Sequence, residues 1–204
     1  MHSRMNWDSE APAPRDGWRG ALDRFVGPGA TRAELWLQFS AAVVAAIVFP
    51  LLGLWKGTGW GVGRAVLVGF LALDIVGGVV TNSTSTAKRW YHRSGQGLRQ
   101  HLPFVASHAI QLLLVAWLFL DGNWPFFAIY YGFLLTGTIV LHVSPLYLRR
   151  PLAMALLIVA VVLDRLVLAS PFGLEWFVPL FFAKLFVGHA LYETPFRTAK
   201  EVSP

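Results

Sequence analysis

Apolar positions in this chain come in long uninterrupted runs rather than in stripes or alternation. A run of ~20 apolar residues is what a helix needs to cross ~30 Å of hydrocarbon. The first run extends from about Leu35 to Leu54 without a charge, and the second from Ala65 to about Asn82, broken only by Asp74. The others cover Leu102 to Leu120, Trp124 to Leu148, Pro151 to Ala169 and Leu174 to Glu193, the last stopped by Pro195. Backbone groups in lipid must be satisfied within the segment, so each run is predicted to be helical. The expected fold is all-α, a polytopic membrane bundle of six transmembrane helices. Residues 1–34 form a tail before it, residues 35–193 the bundle, and residues 194–204 a tail after it.

Thr31 and Glu34 have capping-box spacing just ahead of the first run. Farther upstream, Trp18, Leu22, Phe25 and Val26 fall at helical spacing before Gly27-Pro28-Gly29, which suggests a helix lying on the membrane surface. No apolar leader is visible in residues 1–34, so the first span is expected to act as its own insertion signal.

Charge sets the orientation. Only 14% of residues are charged, against about 25% in soluble domains. Thirteen of the 17 Lys and Arg residues fall in the N-terminal tail, the loop carrying Lys88, Arg89, Arg93 and Arg99, the Arg149-Arg150 pair, and the C-terminal tail. The opposite side has Lys56 and Arg64, and Arg165 and Lys184 lie within spans. The positive-inside rule then puts both termini in the cytoplasm, as expected for a plasma-membrane protein. The net charge of +6 is spread over these loops, which argues against nucleic acid as a partner and for membrane lipids. With no cysteine, thiol nucleophiles, iron–sulfur clusters and cysteine-held zinc are excluded.

Ionisable residues inside a membrane are costly, and each is a functional candidate. Counted at 1.5 Å per residue, Asp74 lies ~12 Å from the cytoplasmic edge, His108 and His142 ~9 Å, and His189 ~6 Å. Three imidazoles and a carboxylate in one layer suit zinc or iron, so His108, His142, His189 and Asp74 are the expected metal ligands. Asp74 or Glu193, one α-turn beyond His189, is the expected base. Asn82, His92 and His101 are expected around that layer, and Arg89, Arg93 and Arg99 as contacts to an anionic headgroup. Lys184 needs an ion-pair partner, either Asp74 or Asp164, and Asp164-Arg165 is expected to be structural. On an α-helix Lys184 and His189 would face different neighbours, about 140° apart.

The leading functional expectation is a metal-dependent enzyme acting on a lipid or isoprenoid-like substrate from the cytoplasmic face. The alternative is a small transporter or proton-coupled carrier built on an Asp/Lys/His relay. Haem held by a histidine pair, or a purely structural subunit, are further classes. In general layout, histidines at the cytoplasmic ends of membrane helices are similar to those of the membrane di-iron desaturases and hydroxylases. Their clustered HxxxH and HxxHH motifs are absent, and no residue role transfers from them.

The charge asymmetry makes a direct prediction. Reporter fusions after Leu54, Leu120 and Ala169 should read outside, and fusions after Arg93, Arg150 and Pro204 should read cytoplasm. A C-terminal reporter facing outside would contradict both the count and the orientation.

Overall fold

The computed structural model describes residues 11–193, all helix and connecting loop with no strand. The expectations on Arg4, Pro195, Arg197, Lys200 and the tail 194–204 lie outside the described residues. Ten segments follow in order: α1 (Gly17–Val26), α2 (Arg32–Trp55), α3 (Val62–Ser83), α4 (Ser85–Tyr91), α5 (Leu98–Ser107), α6 (Ala109–Leu118), α7 (Trp124–Val143), α8 (Leu146–Leu166), α9 (Phe177–Phe182) and a π-helical segment, Ala183–Ala190.

Five helical stretches are long and apolar enough to cross a membrane: α2, α3, the paired α5–α6 over Leu98–Leu118, α7 and α8. That is compatible with an integral, multi-pass membrane protein. The sixth apolar stretch, Phe177–Ala190, is shorter than a full span. It nevertheless runs the height of the bundle, parallel to α3. At one end Glu175 pairs with Lys56 of the α2–α3 loop at 3.0 Å, and at the other Lys88 donates to the Leu191 carbonyl at 2.8 Å. Part of this segment is wound as a π-helix.

Local chemistry explains the boundaries. Thr31 accepts from the Glu34 amide and Glu34 accepts from the Thr31 amide, closing the capping box that starts α2. The expected fourth span is cut at Val143, not Leu148. Pro145 disfavours helical backbone at Ser144, so the chain turns there and Arg149 and Arg150 enter the first turns of α8. The expected third span is interrupted at His108, which sits at the joint of α5 and α6 and caps both.

The surfaces follow the lipid pattern. α2 exposes Trp36, Val43, Val44, Ile47 and Leu51, while Phe177, Phe181, Phe182, Leu185 and Phe186 of the last segment are buried on every side. A helix that is apolar all round belongs in a core. Its rings meet Tyr130 and Phe133 of α7 at 5.4–5.9 Å. Gly137 makes room for this contact, because a Cβ there would strike the Phe186 ring.

Two glycines of α7 therefore make a matched test. Gly132 faces open space and Gly137 faces Phe186. Gly132→Ala should be neutral or stabilising by up to ~1 kcal/mol, since alanine favours helix. Gly137→Ala should destabilise by about 1–3 kcal/mol through overpacking. Thermal unfolding in detergent compares the two, and equal effects would contradict the packing.

Candidate functional site: a histidine cluster at one end of the bundle

α4 is an inserted short helix held from two sides. Thr84 caps its start by accepting from the Ala87 amide. Outside, α1 lies across it. Trp90 donates to the Arg24 carbonyl at 3.1 Å and Tyr91 to the Phe25 carbonyl at 2.8 Å. Gly27, at φ +92°, abuts the Thr86 backbone so closely that a side chain would not fit. Inside, Lys88 is 5% exposed and donates to the carbonyls of Val187 and Leu191 at 2.9 and 2.8 Å. Those are carbonyls left unsatisfied at the end of the π-segment, so Lys88 serves as its side-chain cap. Burial pulls its ammonium down to about 8, with Glu193 opposing the shift.

This clamp gathers four histidines from four parts of the chain. His101 of α5 is central. Its ring lies 4.7 Å from His92, which follows α4, 5.2 Å from His142 of α7, and 4.8 Å from His189 of the π-segment. His101 Nδ1 and His189 Nε2 are 3.0 Å apart, in hydrogen-bonding contact. Phe104 stacks on His189 at 4.1 Å, Tyr91 meets its edge, and Tyr192 meets His92. His142 is fixed by Nδ1 donating to the Thr138 carbonyl at 3.0 Å. His92 Nε2, His101 Nε2 and His189 Nδ1 are buried without a partner. Burial, then the neighbouring His101 and Lys88, holds the His92 imidazolium far below its usual range, so this ring is neutral.

The expected site residues divide between two places. His142 and His189 join this cluster, with His92 and His101, expected only around the site, at its centre. His108 stands apart from these four rings. Its Nδ1 donates to the Phe104 carbonyl at 2.8 Å, and its ring packs on Phe104 and Phe181. Asp74 belongs to a second polar group. Lys184 Nζ lies 2.8 Å from both Asp74 oxygens, and Gln111 donates to Asp74 at 3.0 Å. Lys184 is buried, whereas the Asp74 side chain is 44% exposed. Gly78 provides the passage, because a Cβ there would collide with the Lys184 stem.

The π-winding relates the two groups. Hydrogen bonds from i to i+5 stack residues five apart, so Lys184 and His189 share a face. On an α-helix they would diverge. Nothing in the sequence signalled this register, although Gly188, which lets the segment approach Asn82 and Val79, lies within it.

The remaining candidates are placed as follows. Glu193 accepts from Arg150 at 2.7 Å and lies 3.7 Å from Lys88, linking α8 and α4 at the cluster's rim. Asn82 is buried against the π-segment. Arg89 is buried in α4, Arg93 stacks over Trp90 at 3.6 Å, and Arg99 is exposed. Asp164 accepts from Ser170 and lies 3.5 Å from Arg165, which reaches the Glu175 carbonyl. These last contacts are at the far end of the bundle.

Among the described residues, no three or more His, Asp or Glu side chains converge closely enough to enclose a metal ion. The pair His101–His189 does have suitable spacing. Two nitrogens ~2.1 Å from one tetrahedral zinc stand roughly 3.3 Å apart. No protein family matches the chain, and neither a curated protein nor a solved structure matches it.

The ion pair is open to a thermodynamic test. Removing one partner strands a charge in a low-dielectric setting. Asp74→Asn and Lys184→Met should each destabilise the protein, and the double variant should recover part of the loss, with a coupling of about 1–3 kcal/mol. The partial exposure of Asp74 favours the lower end. Strict additivity in unfolding experiments would contradict direct pairing.

Proposed function

We propose that this protein is a six-pass plasma-membrane protein with both termini in the cytoplasm. Its centre is a transition-metal site at the cytoplasmic end of the bundle, working on a lipid or isoprenoid-like substrate. The observation that carries this reading is the donor pair His101 Nδ1–His189 Nε2 at 3.0 Å, flanked by the rings of His142 and His92. On this reading His101 and His189 hold zinc or iron, and His142 or His92 gives the third nitrogen. Such an ion polarises a substrate oxygen or activates water.

The chain's own residues contribute the rest. Thr138 fixes the tautomer of His142, as a carbonyl behind a ligating imidazole commonly does. Phe104, Tyr91 and Tyr192 shield the rings from water. Lys88 and Glu193 hold the end of the π-segment and hence His189. Asp74 is retained by Lys184 and is not assigned to the metal. His108 likewise moves out of the ligand set. The orientation rests on the distribution of Lys and Arg, and the sixth crossing on the traverse from Glu175 to Leu191.

One observation favours a second reading, a proton-coupled carrier. Asp74, Gln111, Lys184 and His189 follow one another along the interface of α3, α6 and the π-segment. The titratable members of this chain, Asp74, Lys184 and His189, are the kind of groups that pass protons, with Gln111 held to Asp74 as a hydrogen-bonding neighbour.

Elemental analysis of purified protein separates the two. The enzyme reading expects near-stoichiometric zinc or iron, lost in His101→Ala and His189→Ala and retained in His108→Ala. Metal-free wild type, or metal indifferent to His101 and His189, would overturn it. Proton flux in vesicles without bound metal would establish the carrier instead.

A further inference from the structure

α1 turns its apolar face away from the rest of the chain. Trp18, Ala21 and Phe25 fall on one helical stripe and are exposed, Trp18 by 74% and Phe25 by 58%. The opposite side carries Gly20, Asp23 and Val26, all buried. A surface helix normally buries its apolar stripe against its own protein, and here the stripe is left for something else. We propose that α1 and the first turns of α2 form a docking site for an anionic phospholipid. The inference rests on the multi-pass membrane reading, and on neither the metal nor the orientation.

α1 sits at the height where a span meets the membrane surface. The Gly27 backbone abuts Thr86, and the Thr86 hydroxyl donates to Glu34 in the first turn of α2 at 3.2 Å. From there α2 exposes Trp36, Leu37, Phe39 and Val43. An apolar stripe at that level enters the boundary between headgroups and acyl chains, where Trp and Phe are favoured.

The charge on this surface is positive. Arg19 and Arg24 flank the stripe on either side, and both are exposed. The carboxylates are turned elsewhere. Asp23 faces inward, where Arg15 donates to its two oxygens at 2.7 and 2.9 Å. Asp16, at the N-cap, falls on that inward side as well. Glu34 accepts from the Thr31 amide and the Thr86 hydroxyl.

Beside α1, a groove of about 290 Å³ is lined by Arg32, Leu35, Trp36 and Phe39. These four positions form one stripe down α2, running ~10 Å from the cation at the surface end to the Phe39 ring. Charge first and hydrocarbon below is the order of a phosphate and its acyl chain. Leu35 also lines the cavity under α1 with Leu22 and Val26, so the groove and the helix adjoin. Among the described residues no carboxylate forms an ion pair with Arg19 or Arg32. A guanidinium takes phosphate through paired N–H groups, and a net negative headgroup gains further from the arginines around it.

The test places a bimane fluorophore on Ala21→Cys, a unique label because the chain has no cysteine. Full-length protein is reconstituted in phosphatidylcholine vesicles holding equal fractions of either phosphatidylglycerol or phosphatidylcholine that carries a nitroxide on its acyl chain. Both lipids should quench the bimane, because the stripe lies among acyl chains. Phosphatidylglycerol should do so with an apparent affinity about fivefold higher or more, the factor that one arginine near an anionic surface contributes. Arg19→Gln combined with Arg32→Gln should bring the two lipids close to parity and leave quenching by phosphatidylcholine unchanged. Both positions are exposed, so the fold is kept. Arg64→Gln, at the opposite end of the bundle, should retain the preference. Equal quenching by the two lipids, or a preference that survives the double change, overturns the anionic site. Quenching by neither leaves the stripe in water or against another protein, a second copy included, and overturns docking to lipid altogether. No metal enters this readout, so failure of the metal centre and failure of the lipid surface are told apart.

Discussion

The Lys184 ammonium, held 2.8 Å from both oxygens of Asp74, sits midway along a segment whose position decides the arrangement of the histidine cluster at one end of the bundle. Most of Phe177–Ala190 is core, with only a narrow, partly exposed stripe at Leu180, Ala183 and Val187, so polar contacts carry much of its placement. Three polar fastenings set its register against α3: Glu175 to Lys56 at the start, Lys184 to Asp74 in the middle, and the carbonyls of Val187 and Leu191 to Lys88 at the end. A buried charge is tolerated only when paired, which makes the middle fastening specific as well as costly to lose. Sliding the segment by one residue would break all three.

That register is what carries His189 to His101. A regular α-helix satisfying Lys184 would turn His189 away, and the π-winding accommodates both on one face. Wide turns of this kind are frequent at functional sites. Here the local winding has a chemical consequence, because it brings one imidazole nitrogen within 3.0 Å of another across the α5 interface. A cavity of about 270 Å³ adjoins the cluster, its lining including Gly97 at the start of α5 and Arg149 of α8, which bonds the carbonyls at the end of α7.

Much of the helical content was legible in the apolar runs, since lipid demands length and self-satisfied backbone. Five of the six expected segments reappear as helices of spanning length. The sixth was harder to read because its runs of apolar residues say nothing of winding or shortening. The layer of histidines was legible as depth. Which rings face one another was not, because a count of residues fixes height but not azimuth. His108 shares the layer but stands at a helix break and turns to Phe104. His92 was assigned to a loop, yet α4 folds that loop under the bundle, where Lys88 draws it in. The basic residues of that stretch look alike in sequence, but Lys88 is a buried cap, Arg93 stacks on Trp90 and Arg99 is exposed.

The contact on which the account depends is the one between His101 and His189. Nitrogen-15 NMR of histidine-labelled, metal-free protein observes it directly, through the scalar coupling across an N–H···N hydrogen bond. The account predicts a coupled pair of neutral rings that share one proton between His101 Nδ1 and His189 Nε2, and loss of the coupling when zinc is added. Four independently titrating imidazoles with no coupled pair would contradict it.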